Sequence, residues 1–175
     1  MDPFQTFGIE PRFDVDLQSL EQRHRDLSRT LHPDRYSGAP GAERRLALSR
    51  AIEVNEAMRV LRDPIRRAEA LLQRAGVAVG ETSAPKSSSS LLMEMMEARE
   101  ELGEAHKKKD LARVTGLGQS MKSREQHAIT ALTETFRAAA GDPEKLAGAT
   151  AALGELRYVR RFLDEVSAIE EDLSP

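Results

Sequence analysis

The chain of 175 residues has no cysteine and no tryptophan, and only 4% of it is aromatic. Without cysteine there can be no disulfide framework, no thiol nucleophile and no Cys-ligated zinc. There is no long apolar run to span a membrane. The opening "MDPFQTFGIE" is acidic and short of Arg and Ser, unlike a signal or transit peptide. A net charge of −3 argues against a general nucleic-acid binder. A soluble protein of a reducing cytosol is the expectation. What is abundant is Ala, Leu, Glu and Arg, residues that lose little freedom in a helix. The fold class expected is therefore all-α.

"GVAVGETSAPKSSSS", residues 76–90, is rich in Gly, Ser and Pro and poor in periodic apolar residues, as a connection should be. It implies a division into an N-terminal domain over 1–77, a linker over 78–90 and a C-terminal domain over 91–175. Charge divides similarly, at +1 for residues 1–77 and −4 for residues 78–175.

In the N-terminal part, Leu17, Leu20, His24, Leu27 and Leu31 recur at spacings of three and four, marking one apolar stripe of a helix. Asp14 or Asp16 can cap its start, and Pro33 must stop it. A second helix runs from about Ala42, where Leu48, Ile52 and Asn55 form one stripe and Val54, Met58 and Leu61 another. Asp63-Pro64 opens a third, which Gly76 closes. Phe4 and Phe7 anchor a short opening helix.

Between the first two long helices lies "LHPDRY". Gln22, Arg25 and Arg29 lead to it as a polar ridge away from the leucine stripe. His32 and Asp34 could be an acid–base pair, but no Gly-x-Ser-x-Gly elbow or other placed nucleophile accompanies them. The four histidines (24, 32, 106 and 127) form no H-E-x-x-H pattern, so no metal site is expected, and no cofactor. His24 reads as a half-buried filler of the stripe. The basic residues alone could be a solvated face. Taken together, the Phe-bearing start, the Arg ridge, "LHPDRY", the glycine loop and the helix ending "NEAMRVLRDP" resemble the J-domain, over roughly residues 1–75. That module recruits DnaK-type chaperones and stimulates their ATP hydrolysis. The resemblance implies that His32, Pro33 and Asp34 touch the chaperone, with Arg25 and Arg29 beside them. Arg35 stands where Lys is more usual, and Asp26 interrupts the basic ridge.

The C-terminal part reads as three helices, about 90–108, 110–139 and 143–172, with the middle one interrupted near Gly116–Gly118. On the first, Leu91, Met95, Ala98, Leu102 and Ala105 lie in one narrow wedge at roughly 100° per residue and form the core side. Stripes such as Leu132/Phe136 and Leu153/Leu156/Val159/Leu163/Val166/Ile169 complete it. Leu92, Met93 and Met96 are left over on the outer side, with Glu97, Glu100 and Glu104. They form either a binding surface or a packing surface against another element. "HKKKD", residues 106–110, suits the carbonyl end of a helix and lacks the aromatics of a nucleic-acid site.

"LLMEMMEAREELGE" after a J-domain, with "DPIRRAEALLQRAG" and "LRYVRRFLDEV", is similar to the HscB family of J-type co-chaperones in iron–sulfur cluster biogenesis. The resemblance implies that the C-terminal three-helix domain holds an IscU-type scaffold and that the J-domain delivers it to an HscA-type chaperone. Carried over position by position, it assigns scaffold binding to Leu92, Met93, Met96, Glu97, Glu100, Glu104 and Tyr158. A Phe is common in the family where Tyr158 stands. The expected protein is thus an adaptor and not an enzyme, cytoplasmic, with no nucleic-acid or membrane partner. A general J-protein delivering other clients is the alternative.

Overall fold

A computed structural model describes residues 2–79 and 89–174, so most of the expected linker lies outside the described residues. Every regular element among the described residues is helical. The chain forms two compact units, residues 1–76 and 77–175.

The first unit begins with α1 (Pro3–Phe7), capped by the Asp2 carboxylate, which accepts from the Phe4 and Gln5 amides. Gly8, at a left-handed φ of 58°, turns the chain out of it. Asp16, rather than Asp14, caps α2 (Leu17–Thr30). The helix closes with the Leu31 amide bonded to the Leu27 carbonyl, and Pro33 opens a 3₁₀ turn over Pro33–Tyr36. Asp63 caps α4 (Pro64–Arg74) as its Asp-Pro start requires, and Gly76 leaves at φ 74°.

Central to this unit is α3 (Gly41–Arg62), which packs against α1, α2, α4 and the 3₁₀ turn. Of its two apolar stripes, only the one with Val54, Met58 and Leu61 is buried, joined by Ala47 and Ala57. Leu48 and Ile52 are exposed. The two stripes are turned by roughly 120° on the helix, and one flank of a small hairpin cannot cover both. Asn55, on the exposed side, reaches across to His24 at 2.9 Å, and the His24 ring stacks on Phe7. The half-buried filler role expected for His24 is what the structure shows. Leu17, at the outer end of the α2 stripe, is exposed while Leu20 is buried.

In the second unit α5 (Ser89–Lys107) packs on α6 (Leu111–Ala139) and on α8 (Ala149–Leu173), and α6 with α8 forms the main interface. Leu102, Ala105, Val114, Met121, Val159, Phe162, Val166 and Ile169 form its core cluster. Arg124 on α6 clasps all three helices, donating to Glu155 at 2.6 Å and Glu94 at 2.9 Å. Burial pulls the Arg124 pKa down, but the bonds to Glu155 and Glu94 outweigh it and leave it above the ordinary value.

Two boundary expectations are corrected. No break occurs near Gly116–Gly118, for α6 runs unbroken through both glycines. A Cβ on Gly118 would lie 2.9 Å from Val166 Cγ1, so α8 packs directly against this glycine. The expected single helix over 143–172 is two, α7 (Pro143–Leu146) and α8. Around Ala147 and Gly148 the amides of Gly148 and Thr150 bond three residues back, to the carbonyls of Lys145 and Ala147. That tighter winding breaks the α-helical ladder.

Candidate functional site

The His-Pro-Asp stretch occupies the turn that joins the α2–α3 hairpin. His32 is extended at φ −61° and ψ 133°, as the residue before proline should be. Its ring turns back on its own turn, with Nδ1 accepting from the Asp34 amide at 3.3 Å. Nδ1 thereby caps the 3₁₀ turn. The Asp34 carboxylate lies 3.5 Å from the same Nδ1 and is exposed, free to meet a partner's cation. Backbone bonds from Arg35 to His32 and from Ser37 to Asp34 hold the turn from within. Among the described residues no serine, threonine or other nucleophile is hydrogen-bonded to the ring, so the pair has the geometry of a displayed motif rather than of a triad.

On α2 the ridge is organised by Gln22. Its Oε1 accepts from Arg25 at 2.7 Å, and its Nε2 donates to Asp26 at 3.2 Å. Asp26 is thus tied to an amide, and Arg29 is exposed in the last turn beside the motif. Arg23 belongs elsewhere: it donates to the Phe7 and Gly8 carbonyls at 2.7 and 3.1 Å, fastening α1 to α2.

The second cluster is the outer face of α5. Met95 and Leu102 are buried as the wedge requires, while Leu92, Met93 and Met96 are 55%, 62% and 65% exposed. Glu97, Glu100 and Glu104 are exposed on the same side. The six span roughly 140° of the helix, centred opposite the buried wedge. Apolar side chains are not spread singly here. They form a patch bordered by carboxylates.

Glu104 differs from its two neighbours. Lys107 and Lys108 approach it at 3.1 and 3.6 Å, and the Lys107 hydrogen bond, then the charges of both, hold its carboxyl below the usual range. Tyr158, from α8, is half-buried. Its hydroxyl donates to the Met95 carbonyl at 2.8 Å, and the Arg99 guanidinium lies 5.6 Å above its ring. Burial raises the Tyr158 pKa, against the lowering effect of Arg99, so the hydroxyl stays protonated at neutral pH. Tyr158 therefore ties α8 to α5 beside Met95 and Arg99.

Among the described residues no group of three or more His, Asp or Glu side chains could hold a metal ion. No helix among the described residues is long and apolar enough to cross a membrane.

The family model described as the HSCB C-terminal oligomerisation domain matches residues 87–167. A co-chaperone protein HscB homolog from Shewanella pealeana is 30% identical over 174 residues, 99% of each chain. The chain belongs to the HscB co-chaperone family. Its homolog from Neisseria meningitidis is 35% identical over 133 residues, covering 76% of this chain and 80% of that one. The solved structure of chaperone HscB from Vibrio cholerae superposes with a TM-score of 0.85 at 27% identity, covering 99% and 100% of the two chains. Human co-chaperone HscB shares the fold, with a TM-score of 0.85 at 23% identity over 96% and 81%. The HscB architecture is a J-domain followed by a helical bundle, and the two units stand in that order. HscB proteins act as co-chaperones in iron–sulfur cluster biogenesis and are not enzymes by themselves.

Some of the local chemistry has no signature in the sequence. The His32 cap on the Asp34 amide depends on a rotamer. Arg67, on α4, is buried over the Phe13 ring at 4.9 Å and bonds to the Leu61 carbonyl. Burial, opposed by Asp63 and Asp14, lowers its pKa. Phe13 and Phe162 are core residues outside the apolar stripes read from the sequence.

Proposed function

We propose that this chain couples an IscU-type iron–sulfur scaffold to an HscA-type chaperone of the DnaK class, in the cytosol. The observation that carries this reading is the α5 face, where Leu92, Met93 and Met96 stand exposed opposite a buried wedge on a chain that also displays a capped His-Pro-Asp turn. The scaffold docks on Leu92, Met93 and Met96, with Glu97 and Glu100 as a rim for basic groups and Tyr158 at the edge. Glu104 joins that rim only by exchanging its lysine partners for the scaffold's. An apolar centre inside a charged rim is the anatomy of a specific interface.

The chaperone meets the other unit. Arg25 and Arg29 meet an acidic surface, and the His32 ring and Asp34 carboxylate present a hydrogen bond and a charge on a turn already fixed by Pro33. A turn ordered in advance loses little entropy on docking. ATP hydrolysis is the chaperone's chemistry. This chain accelerates it by binding, and hydrolysis then locks the delivered scaffold in place. The domain limits proposed are 1–77 and 91–175, joined by 78–90.

The test is calorimetric titration of the cognate scaffold with the wild-type chain and with L92A/M93A/M96A, whose helicity is checked first. Binding by the wild type and its loss in the triple variant, by roughly a hundredfold or more, supports the docking face. No binding by the wild type removes the scaffold from the reading. In parallel, His32→Gln leaves scaffold affinity unchanged and reduces chaperone stimulation to the basal rate. Loss of both together would contradict the division of labour.

A second reading follows from the matched family model, whose description names oligomerisation. The same apolar face could pair two copies of the chain. Sedimentation of wild type and triple variant separates the readings, since only self-association makes the wild type heavier.

A further inference from the structure

Residues 93–96 place three methionines within four positions of one helix. Met93 and Met96 are 62% and 65% exposed, whereas Met95 between them is 2% exposed. Met58 and Met121 are buried as well. With no cysteine in the chain, no thiol competes for a mild oxidant. Methionine sulfur is open to two-electron oxidants, and access decides which residue reacts.

We infer that Met93 and Met96 form a reversible oxidation site for peroxide-class oxidants, placed so that their modification switches off docking on α5. The inference rests on the reading that this face holds the scaffold. In each event the thioether sulfur attacks one oxygen of hydrogen peroxide. An S–O bond forms and the O–O bond breaks, giving sulfoxide and water with no net proton change. The thioether is oxidised by two electrons, and peroxide is reduced by the same two.

The consequence follows from what the sulfoxide is. It turns a flexible apolar side chain into a polar, stereogenic one with a strong acceptor oxygen. Such an oxygen at the centre of an apolar interface must be desolvated without a donor, and that weakens binding. The carboxylates of Glu97 and Glu100 stand beside it and add acceptor oxygens. The fold is spared, because Met95 is the methionine of the three that packs inward, and Tyr158 binds the carbonyl of that residue. Chemistry that interrupts docking therefore leaves the bundle intact.

The experiment uses the full chain treated with hydrogen peroxide at neutral pH. Trypsin releases peptide 87–99, which carries all three methionines, and tandem mass spectrometry assigns each added oxygen. The expected order is Met93 and Met96 first, with Met95, Met58 and Met121 unmodified until the protein unfolds. Saturating scaffold protects the first two. Scaffold affinity measured on the oxidised chain falls roughly tenfold or more and returns after methionine sulfoxide reductase. The variant M93L/M96L, whatever its own affinity, keeps that affinity through the same treatment. Oxidation of Met95 as fast as its neighbours, or unchanged affinity with both outer methionines oxidised, overturns the inference. If the untreated chain does not bind scaffold, the docking reading fails, and the order of oxidation decides the modification site by itself.

Discussion

In the proposed docking face Tyr158 contributes its ring, while its hydroxyl donates to the Met95 carbonyl at 2.8 Å. Tyr158→Phe keeps the ring and removes that bond. It is expected to cost about 1 kcal/mol of stability in urea denaturation of the full chain, because a half-buried neutral hydrogen bond contributes about that much net. Scaffold affinity should fall only slightly. A large loss of affinity with unchanged stability would make the hydroxyl itself a contact. Arg67 is the other residue whose environment decides its role. Its stem is buried, its guanidinium stacks on Phe13 and its end bonds to the Leu61 carbonyl. Arg67→Ala is expected to cost about 2–4 kcal/mol, from lost packing and an orphaned carbonyl. Neither role was legible in the sequence, where Tyr158 appeared as a Phe replacement and Arg67 as one basic residue of a helix. Periodicity identifies faces, and these contacts depend on which side chain of another helix arrives there. By contrast, the exposed trio on α5 was legible, because a core wedge defined by five positions leaves its opposite side determined.

Helix starts were the most readable features. Asp16, Asp63 and Asp142 each accept from amides of the following turn, and Pro follows Asp63 and Asp142 directly. Cap chemistry is local, so the residues that carry it are adjacent in the chain. Gly116 and Gly118 misled for the opposite reason. Their low helix propensity suggested a break, yet the packing of α6 against α8 overrides it. Gly118→Ala tests this directly. Its Cβ would meet Val166 Cγ1 at 2.9 Å, and Val166 is 4% exposed with little room to yield. Destabilisation of about 1–3 kcal/mol is expected despite the better helix former, and V166A in the same chain should recover part of it. A stabilised G118A chain would show instead that the helices separate at little cost. The stripe with Leu48 and Ile52 was left unranked against the buried one, since two apolar stripes on α3 compete for one core and periodicity does not choose between them.

At the scale of the whole molecule, the two clusters lie on separate compact units. The proposed delivery requires that one chain hold both partners, because tethering raises the local concentration of the scaffold at the chaperone without any new contact. The first unit alone should therefore stimulate ATP hydrolysis only through its own weak docking. The decisive measurement is the chaperone's steady-state ATPase with scaffold present at submicromolar concentrations, comparing the full chain with an equimolar mixture of residues 1–77 and 78–175. Coupling predicts that the full chain and scaffold stimulate together well beyond the mixture, by about tenfold or more. It also predicts that L92A/M93A/M96A in the full chain reduces the rate to that of the mixture. Equal stimulation by the mixture and the full chain would contradict coupling, leaving two independent binding modules on one polypeptide.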